Sequence, residues 1–253
     1  PGHVDFTAEV ERSLRVLDGG VIVLDGSQGV EPQSETVFRQ AQKYDVPLLF
    51  FVNKLDKVGG DFIMSLGSIS EKLTKKGLAI QLPIGLESGF IGSVDLVTMK
   101  AYRFEGADGG DVVEFDIPED MLEDAKKYRS IMVEKVAESD DALIEKYLGG
   151  EDLTIEEIKA GLRKMTISTQ IYPVFCGSAL SNKGIQKVLD GIIDYLPSPR
   201  DVPAIKATKV ETGEEIHISS EENGPFTALA FKIQTDPYVG RLTYFRVYSG
   251  KAT

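Results

Sequence analysis

Pro47-Leu48-Leu49-Phe50-Phe51-Val52-Asn53-Lys54-Leu55-Asp56 is the stretch on which the reading of this chain turns. Its first part, Pro47 to Val52, is apolar throughout, as suits a short strand buried on both faces of a parallel sheet. Its exit is polar and has the pattern N-K-x-D. An aspartate placed there can accept two parallel hydrogen bonds, from the ring N–H and the exocyclic amine of guanine. Adenine offers no such donor pair and would leave a desolvated carboxylate unpaired. The same four residues also suit an ordinary polar exit from a strand, so the neighbouring sequence has to arbitrate.

Upstream, Asp5 to Asp18 carries Phe6, Val10, Leu14 and Leu17 at helical spacing and is closed by Gly19-Gly20. Val21 to Leu24 is a second wholly apolar strand, and Asp25 to Gly29 reads as a turn. Pro32 stands where a first helical residue belongs, and Gln33 to Tyr44 looks helical. This alternation of strand and helix is the signature of a doubly wound α/β sheet. Downstream, Asp61 to Lys76 reads as a helix, and then the texture changes. Ala79 to Phe104 is rich in β-formers, whereas Pro118 to Ala137, Asp141 to Leu148 and Thr154 to Thr169 read as helices. The buried-strand pattern resumes at Tyr172 to Cys176, with a helix from Lys183 to Tyr195. An α+β subdomain inserted at about residues 74–169 of an α/β domain accounts for this order. A stiff, proline-rich linker follows at residues 196–203. Phe226 to Gln234 and Leu242 to Tyr248 then alternate apolar and polar residues like strands of a β-domain.

The chain has 253 residues, a net charge of −12 and a single cysteine, Cys176. One cysteine excludes an intrachain disulfide and points to a reducing compartment. Cys176 itself reads as a buried strand residue. No apolar run approaches the roughly 20 residues that span a bilayer. The negative charge argues against nucleic-acid binding, but it is uneven: nine acids and no Lys or Arg lie between Glu105 and Asp124. That run suits a solvated face, or an acidic docking surface on one subregion.

Two further elements carry chemistry. Pro1-Gly2-His3 precedes a helix and puts a glycine amide and an imidazole at its N-terminus, where phosphate is a natural ligand. As an isolated turn with a histidine it would be unremarked. Gly177-Ser178-Ala179-Leu180 follows the last apolar strand. It is either a small-residue turn or a backbone approach to a base, the Ala179 amide donating to the guanine carbonyl. With the N-K-x-D exit, these elements fall at the carboxyl ends of predicted strands, where open α/β sheets bind ligands. Ser178 lies 122 positions after Asp56, more than a simple nucleotide-binding sheet needs, and so marks the insertion.

Long segments resemble bacterial-type elongation factor G, a translational GTPase. They include Pro1 to Thr7, Glu9 to Gly19, Gly29 to Val37, Gln81 to Gly85, Asp95 to Ala101 and Tyr195 to Pro199. Phe226 to Lys232 and Gly240 to Leu242 resemble the start of that family's second domain. The resemblance implies a partial P-loop GTPase-type parallel sheet over residues 1–200, an inserted subdomain at about 74–169, and the start of a β-barrel domain at 201–253. It implies that His3 is catalytic, orienting the attacking water. Pro1, Gly2 and His3 would lie at the GTP, with the Gly2 amide on the γ-phosphate. Asn53 would tie the base-binding loops together, and Lys54 would lay its stem along the base. Asp56 would read guanine, and Ser178, Ala179 and Leu180 would complete the pocket. The implied ligands are GTP, GDP and Mg²⁺. The implied partners are the ribosome, through its rRNA and stalk proteins, and indirectly the tRNA–mRNA complex. A cytoplasmic monomer without membrane contact is implied, and an organellar version stays open.

The chain departs from that family in what it lacks, the threonine of switch I and the C-terminal domains expected beyond Thr253 among the missing parts. It contains no G-x-x-x-x-G-K-[ST], the loop that cradles phosphates and places a hydroxyl on Mg²⁺. The expectation is an internal fragment whose phosphate loop and Mg²⁺ ligands precede Pro1, and which is not competent for hydrolysis alone. A non-catalytic ribosome-binding module and a ribosome-recycling or protection paralogue are the alternatives.

Overall fold

The computed structural model describes residues 7–106 and 109–252, which form two compact units. The first comprises residues 19–39 and 47–196. Its centre is a four-stranded, all-parallel sheet of β1 (Gly20–Asp25), β2 (Leu48–Asn53), β8 (Tyr172–Cys176) and β3 (Gly77–Ala79), in that spatial order. β2 is central. Val52 pairs with Leu24 on one side and Cys176 on the other, and Leu48 to Val52 are all buried. This is why the strand is apolar at every position rather than at alternate ones. Among the described residues β1 is an edge strand, and its Val23 is 57% exposed despite the apolar run around it. β8 contains Pro173, tolerated because the ladder with β2 begins only at Val174. β3 comes from the stretch read as the start of the insertion and closes the other edge of the sheet.

Helix α2 (Pro32–Lys43) starts on the proline, whose fixed φ suits a first helical residue. Its Phe38 meets Phe50 and Tyr172 with ring centroids 5.9 and 5.5 Å away, two tilted or edge-on contacts in the core. Helix α3 (Phe62–Ser68) is capped by Asp61, whose carboxylate accepts the Met64 N–H. The helix expected up to Lys76 instead passes into one π-helical turn, Ile69–Leu73, and stops at the extended Thr74. The chain is thereby freed to enter β3. Helix α7 (Ile185–Tyr195) follows β8 and packs against it through Gly191. A Cβ on Gly191 would collide with the Phe175 ring, so only hydrogen fits.

Between β3 and β8 lies a separate antiparallel meander, β4 (Gln81–Ile84), β5 (Gly92–Asp95), β6 (Lys100–Glu105) and β7 (Asp111–Phe115). It is followed by helices α4 (Leu122–Ala137), α5 (Asp141–Leu148) and α6 (Ile155–Ile167). Arg129 on α4 donates to the carbonyls of Leu96 and Val97, which ties the helix to the turn after β5. Thr154 and Glu157 form a reciprocal capping box at the start of α6. The chain is thus α/β, with a parallel sheet and separate antiparallel sheets.

The second unit comprises residues 7–18, 40–46 and 197–252 of the described chain. Its strands form two antiparallel hairpins, β9 (Ile205–Thr208) with β10 (Glu215–Ile218), and β11 (Thr227–Asp236) with β12 (Gly240–Ser249). These are strands of the kind a barrel is built from; the alternating sequence predicts β11 and β12, while β9 and β10 lie in a stretch where it marks no strand. Helix α1 (Thr7–Leu14) ends four residues before the expected Asp18. The reason is Arg246 on β12, whose guanidinium donates to the Val16 carbonyl and grips the Asp18 carboxylate with two N–H groups, Nη1 at 2.8 Å from Oδ1. A forked donor on a carboxylate is a stronger and more directional partner than one more helical turn.

Candidate functional site

The carboxyl ends of β1, β2 and β8 are neighbours in the sheet, and their loops build the candidate site. At the end of β2 the chain turns sharply. Lys54 has φ of 64°, in the left-handed region that costs a non-glycine residue about 1–2 kcal/mol. Asn53 offsets that strain. Its Oδ1 accepts the Lys54 N–H at 2.8 Å and, at the same length, the Ala179 N–H of the β8 loop. One side-chain oxygen therefore holds both loops in register. Leu55 is buried beneath them, and its N–H donates to the Gly177 carbonyl while the Gly177 N–H donates to Val52. Any Cβ at Gly177 would run into the Lys183 carbonyl, which explains the glycine.

The loop after β8 is closed by a two-residue bridge. Ser178 N–H donates to Lys183 and Lys183 N–H donates back, at 2.8 and 2.9 Å. The bridge throws the intervening residues outward: Leu180 is 97% exposed, and Ser181 reaches across to Asp56. The Ser181 hydroxyl donates to Asp56 Oδ2 at 2.5 Å. Partial burial pushes the Asp56 carboxyl up, but the Ser181 hydroxyl and the nearby Ser178 hydroxyl outweigh it and hold the group below the usual carboxylate value. The Ser178 hydroxyl is itself fully buried and, among the described residues, closes no hydrogen bond of ordinary geometry.

Lys54 lies over the end of β1. Its Nζ donates to Asp25 Oδ2 at 2.7 Å, and Ser27 donates to Asp25 Oδ1 through both its N–H and its hydroxyl. The lysine, ahead of the serine donors, pulls Asp25 far below the usual carboxylate range, against the desolvation that opposes it. The same pair raises Lys54 above its ordinary value. Cys176, at the end of β8, is enclosed, and burial pushes its thiol up, so it is an inert core group.

Of the residues expected from the sequence, the structure brings Asn53, Asp56, Ser178 and Ala179 together, with Lys54 beside them and Leu180 on the open side. Pro1, Gly2 and His3 lie outside the described residues. The Ala179 amide, expected to serve a base carbonyl, donates to Asn53 instead; among the described residues the Leu180 amide has no hydrogen-bond partner. Two participants go beyond what the sequence predicts. Asp25 has a signal, because it ends an apolar strand as Asn53 does, yet locally it reads only as the start of a turn. Ser181 has none, since its approach to Asp56 depends on the bridge that closes its loop. Among the described residues no three His, Cys, Asp or Glu side chains gather in a way that could hold a metal ion, so no Mg²⁺ ligand is assigned. No helix among them is long and apolar enough to cross a membrane.

Two comparisons place this arrangement among known proteins. Residues 1–198 match the family model described as the elongation factor Tu GTP binding domain. A solved crystal structure of a protein from Thermus thermophilus superposes over 99% of this chain with a TM-score of 0.80 and 29% sequence identity. This chain spans 34% of the length of that one.

Proposed function

The chain belongs to the elongation factor Tu GTP-binding domain family of translational GTPases, and from that premise we propose that it serves a G-type translation elongation factor. In this reading it binds GTP and GDP, and ribosome-stimulated hydrolysis is coupled to tRNA–mRNA translocation. The observation that carries the reading is Asn53 Oδ1 joining the β2 and β8 loops beside a carboxylate, Asp56, that is held charged. An anionic acceptor at a strand end, with the Leu180 N–H, unpartnered among the described residues, in the loop beside it, matches the donors and the carbonyl along one edge of guanine. The likeness of Gly29 to Val37, Gln81 to Gly85 and Phe226 to Lys232 to elongation factor G supports the G type over other members.

Each residue then has a task. Asp56 accepts the two guanine N–H donors. Asn53 fixes the spacing of the loops, and Leu55 anchors them to the core. Asp25 holds the Lys54 ammonium, so that the lysine's aliphatic stem is laid in one direction rather than left to sample many. Bound GTP supplies the reactive phosphoanhydride, and His3 would orient the water that attacks it. The residues at 1–200 would be the GTPase part, those at about 74–169 its inserted subdomain facing the ribosomal stalk, and those from 201 onward the start of a barrel resting on the small subunit.

Ligand-observed NMR on the 253-residue chain tests the base reading even where affinity is weak. Guanosine is expected to show saturation transfer and adenosine none. Asp56→Asn should lose guanosine and gain xanthosine, because a carboxamide can donate to the xanthine 2-carbonyl while accepting from its ring N–H. Equal transfer from adenosine and guanosine, or an unchanged preference in Asp56→Asn, removes the reading. For catalysis, His3→Ala in the protein purified from its source should retain GTP binding and lose ribosome-stimulated turnover by about 10² or more. Undiminished stimulation would take that role from His3.

A further inference from the structure

We propose that Ser181 is the positioning residue of the base-reading carboxylate and sharpens selection of a 2-amino-6-oxopurine, an inference that rests on the guanine reading above. Four observations meet at this residue. Its hydroxyl donates to Asp56 Oδ2 across 125 positions of sequence. The motif serine, Ser178, lies closer to the strand but closes no ordinary hydrogen bond through its hydroxyl, its backbone being spent on the bridge to Lys183. Asp56 is partly buried, which pushes its carboxyl up, and the Ser181 hydroxyl is the foremost of the groups that oppose this, ahead of Ser178. The loop that carries Ser181 is pinned at both ends, by Ala179 on Asn53 and by the Lys183 ammonium on the Phe90 carbonyl.

The chemistry follows from counting acceptor sites. An ionised carboxylate offers about four lone-pair directions. Two parallel N–H groups of a 2-amino-6-oxopurine use one on each oxygen, which leaves room on Oδ2 for the serine. Ser181 therefore stays bonded while the base is bound, fixes the carboxylate plane and keeps it charged. It does not touch the base and acts only through Asp56. A side chain free to rotate would present its two oxygens to many ring edges, whereas a held one favours coplanar, paired donors.

The test is a titration of the 253-residue chain and its variants with guanosine, inosine and adenosine, followed by ligand-observed NMR across the acid range. Ser181→Ala is expected to weaken guanosine by about fivefold to twentyfold, the range for losing one hydrogen bond to a partly exposed charged group. Inosine, which lacks the 2-amino group, should weaken less, so the ratio between the two ligands falls. Burial then raises Asp56 against weaker opposition, from Ser178, a backbone hydrogen bond and Lys183, so the acid limb of guanosine binding moves to higher pH in Ser181→Ala. Ser181→Thr, which keeps the hydroxyl, should restore both the ratio and the limb. An unchanged ratio and acid limb in Ser181→Ala, or tighter guanosine binding, overturns the proposal, as does a failure of Ser181→Thr to restore them. If Asp56→Asn in the same series still alters the base preference, the guanine reading survives that outcome. If Asp56→Asn changes nothing, the reading itself has failed and the inference falls with it.

Discussion

The β2 strand and the β11–β12 hairpin are both rich in apolar residues, yet they hold the molecule in different ways. In β2 every residue from Leu48 to Val52 is buried, and parallel neighbours pair with it on both edges. In the hairpin, Ile233 and Phe245 remain 62% and 50% exposed. Among the described residues the strands there pair with each other alone, with shifts of register at Thr227/Ala228 and Ala230/Lys232. Apolar character alone therefore does not make a core. A strand flanked on both edges and covered on both faces removes its side chains from water, whereas a lone hairpin shields at most one face. The difference also bears on function. The rigid strands end in the loops that carry Asn53, Asp56 and Ser181, so positions in those loops inherit the precision of the core.

The largest test of that contrast is a pair of truncations. Phe50→Ala should destabilise the α/β unit by about 3–5 kcal/mol, since it empties a fully enclosed aromatic site. Phe245→Ala, half in water, should cost about 1 kcal/mol or less. Denaturant midpoints, read with amide hydrogen exchange to assign each unit, decide it; equal losses would break the comparison. The next test uses backbone crowding. Gly191→Ala drives a methyl into the Phe175 ring and should destabilise by about 1–3 kcal/mol. At the hairpin tip, Gly240 has φ of 83° and open space around it, so Gly240→Asn meets no clash and should cost only the backbone strain of a side chain in that region, about 1 kcal/mol. Thermal unfolding of the two variants compares them directly.

The smallest effect expected is electrostatic. The carboxyls of Asp25 and Asp236 are both held below their ordinary value in the fold, Asp25 mainly by Lys54 and Asp236 by the Val239 and Tyr238 amides. A depressed folded value stabilises above the unfolded value of about 3.9 and loses that contribution as pH falls through the folded one. Stability should therefore decline in the acid range for both units. Lys54→Met should flatten the decline in the α/β unit and leave the hairpin unit's decline alone. Acid titrations followed by hydrogen exchange would show an unaltered α/β profile if the lysine is not the cause.

Much of this was legible in the residues, and the illegible parts share a cause. Wholly apolar runs bounded by glycine and proline located β1, β2 and β8, because a strand covered on both faces has to be apolar at every position. The N-K-x-D exit and the Gly177-Ser178-Ala179 turn were readable as local chemistry at strand ends. The exposure of Val23 was not readable, since whether a strand is central or at an edge depends on its neighbours in space. Nor was the early end of α1, which is set by Arg246 from the far end of the chain. The π-helical turn after α3 escaped as well, because the helical periodicity of Asp61 to Lys76 continues through it.

The sequence by itself determined the α/β class, the apolar strands and the N-K-x-D strand exit that carries Asn53 and Asp56. These are properties of consecutive residues, and the physics of burial and hydrogen bonding acts on them locally. Only the tertiary structure decided that Asn53 would join two loops, that Asp25 would take Lys54, and that Ser181 would reach Asp56. Those contacts span 126, 29 and 125 positions of chain, and each exists because the parallel sheet sets three strand ends side by side.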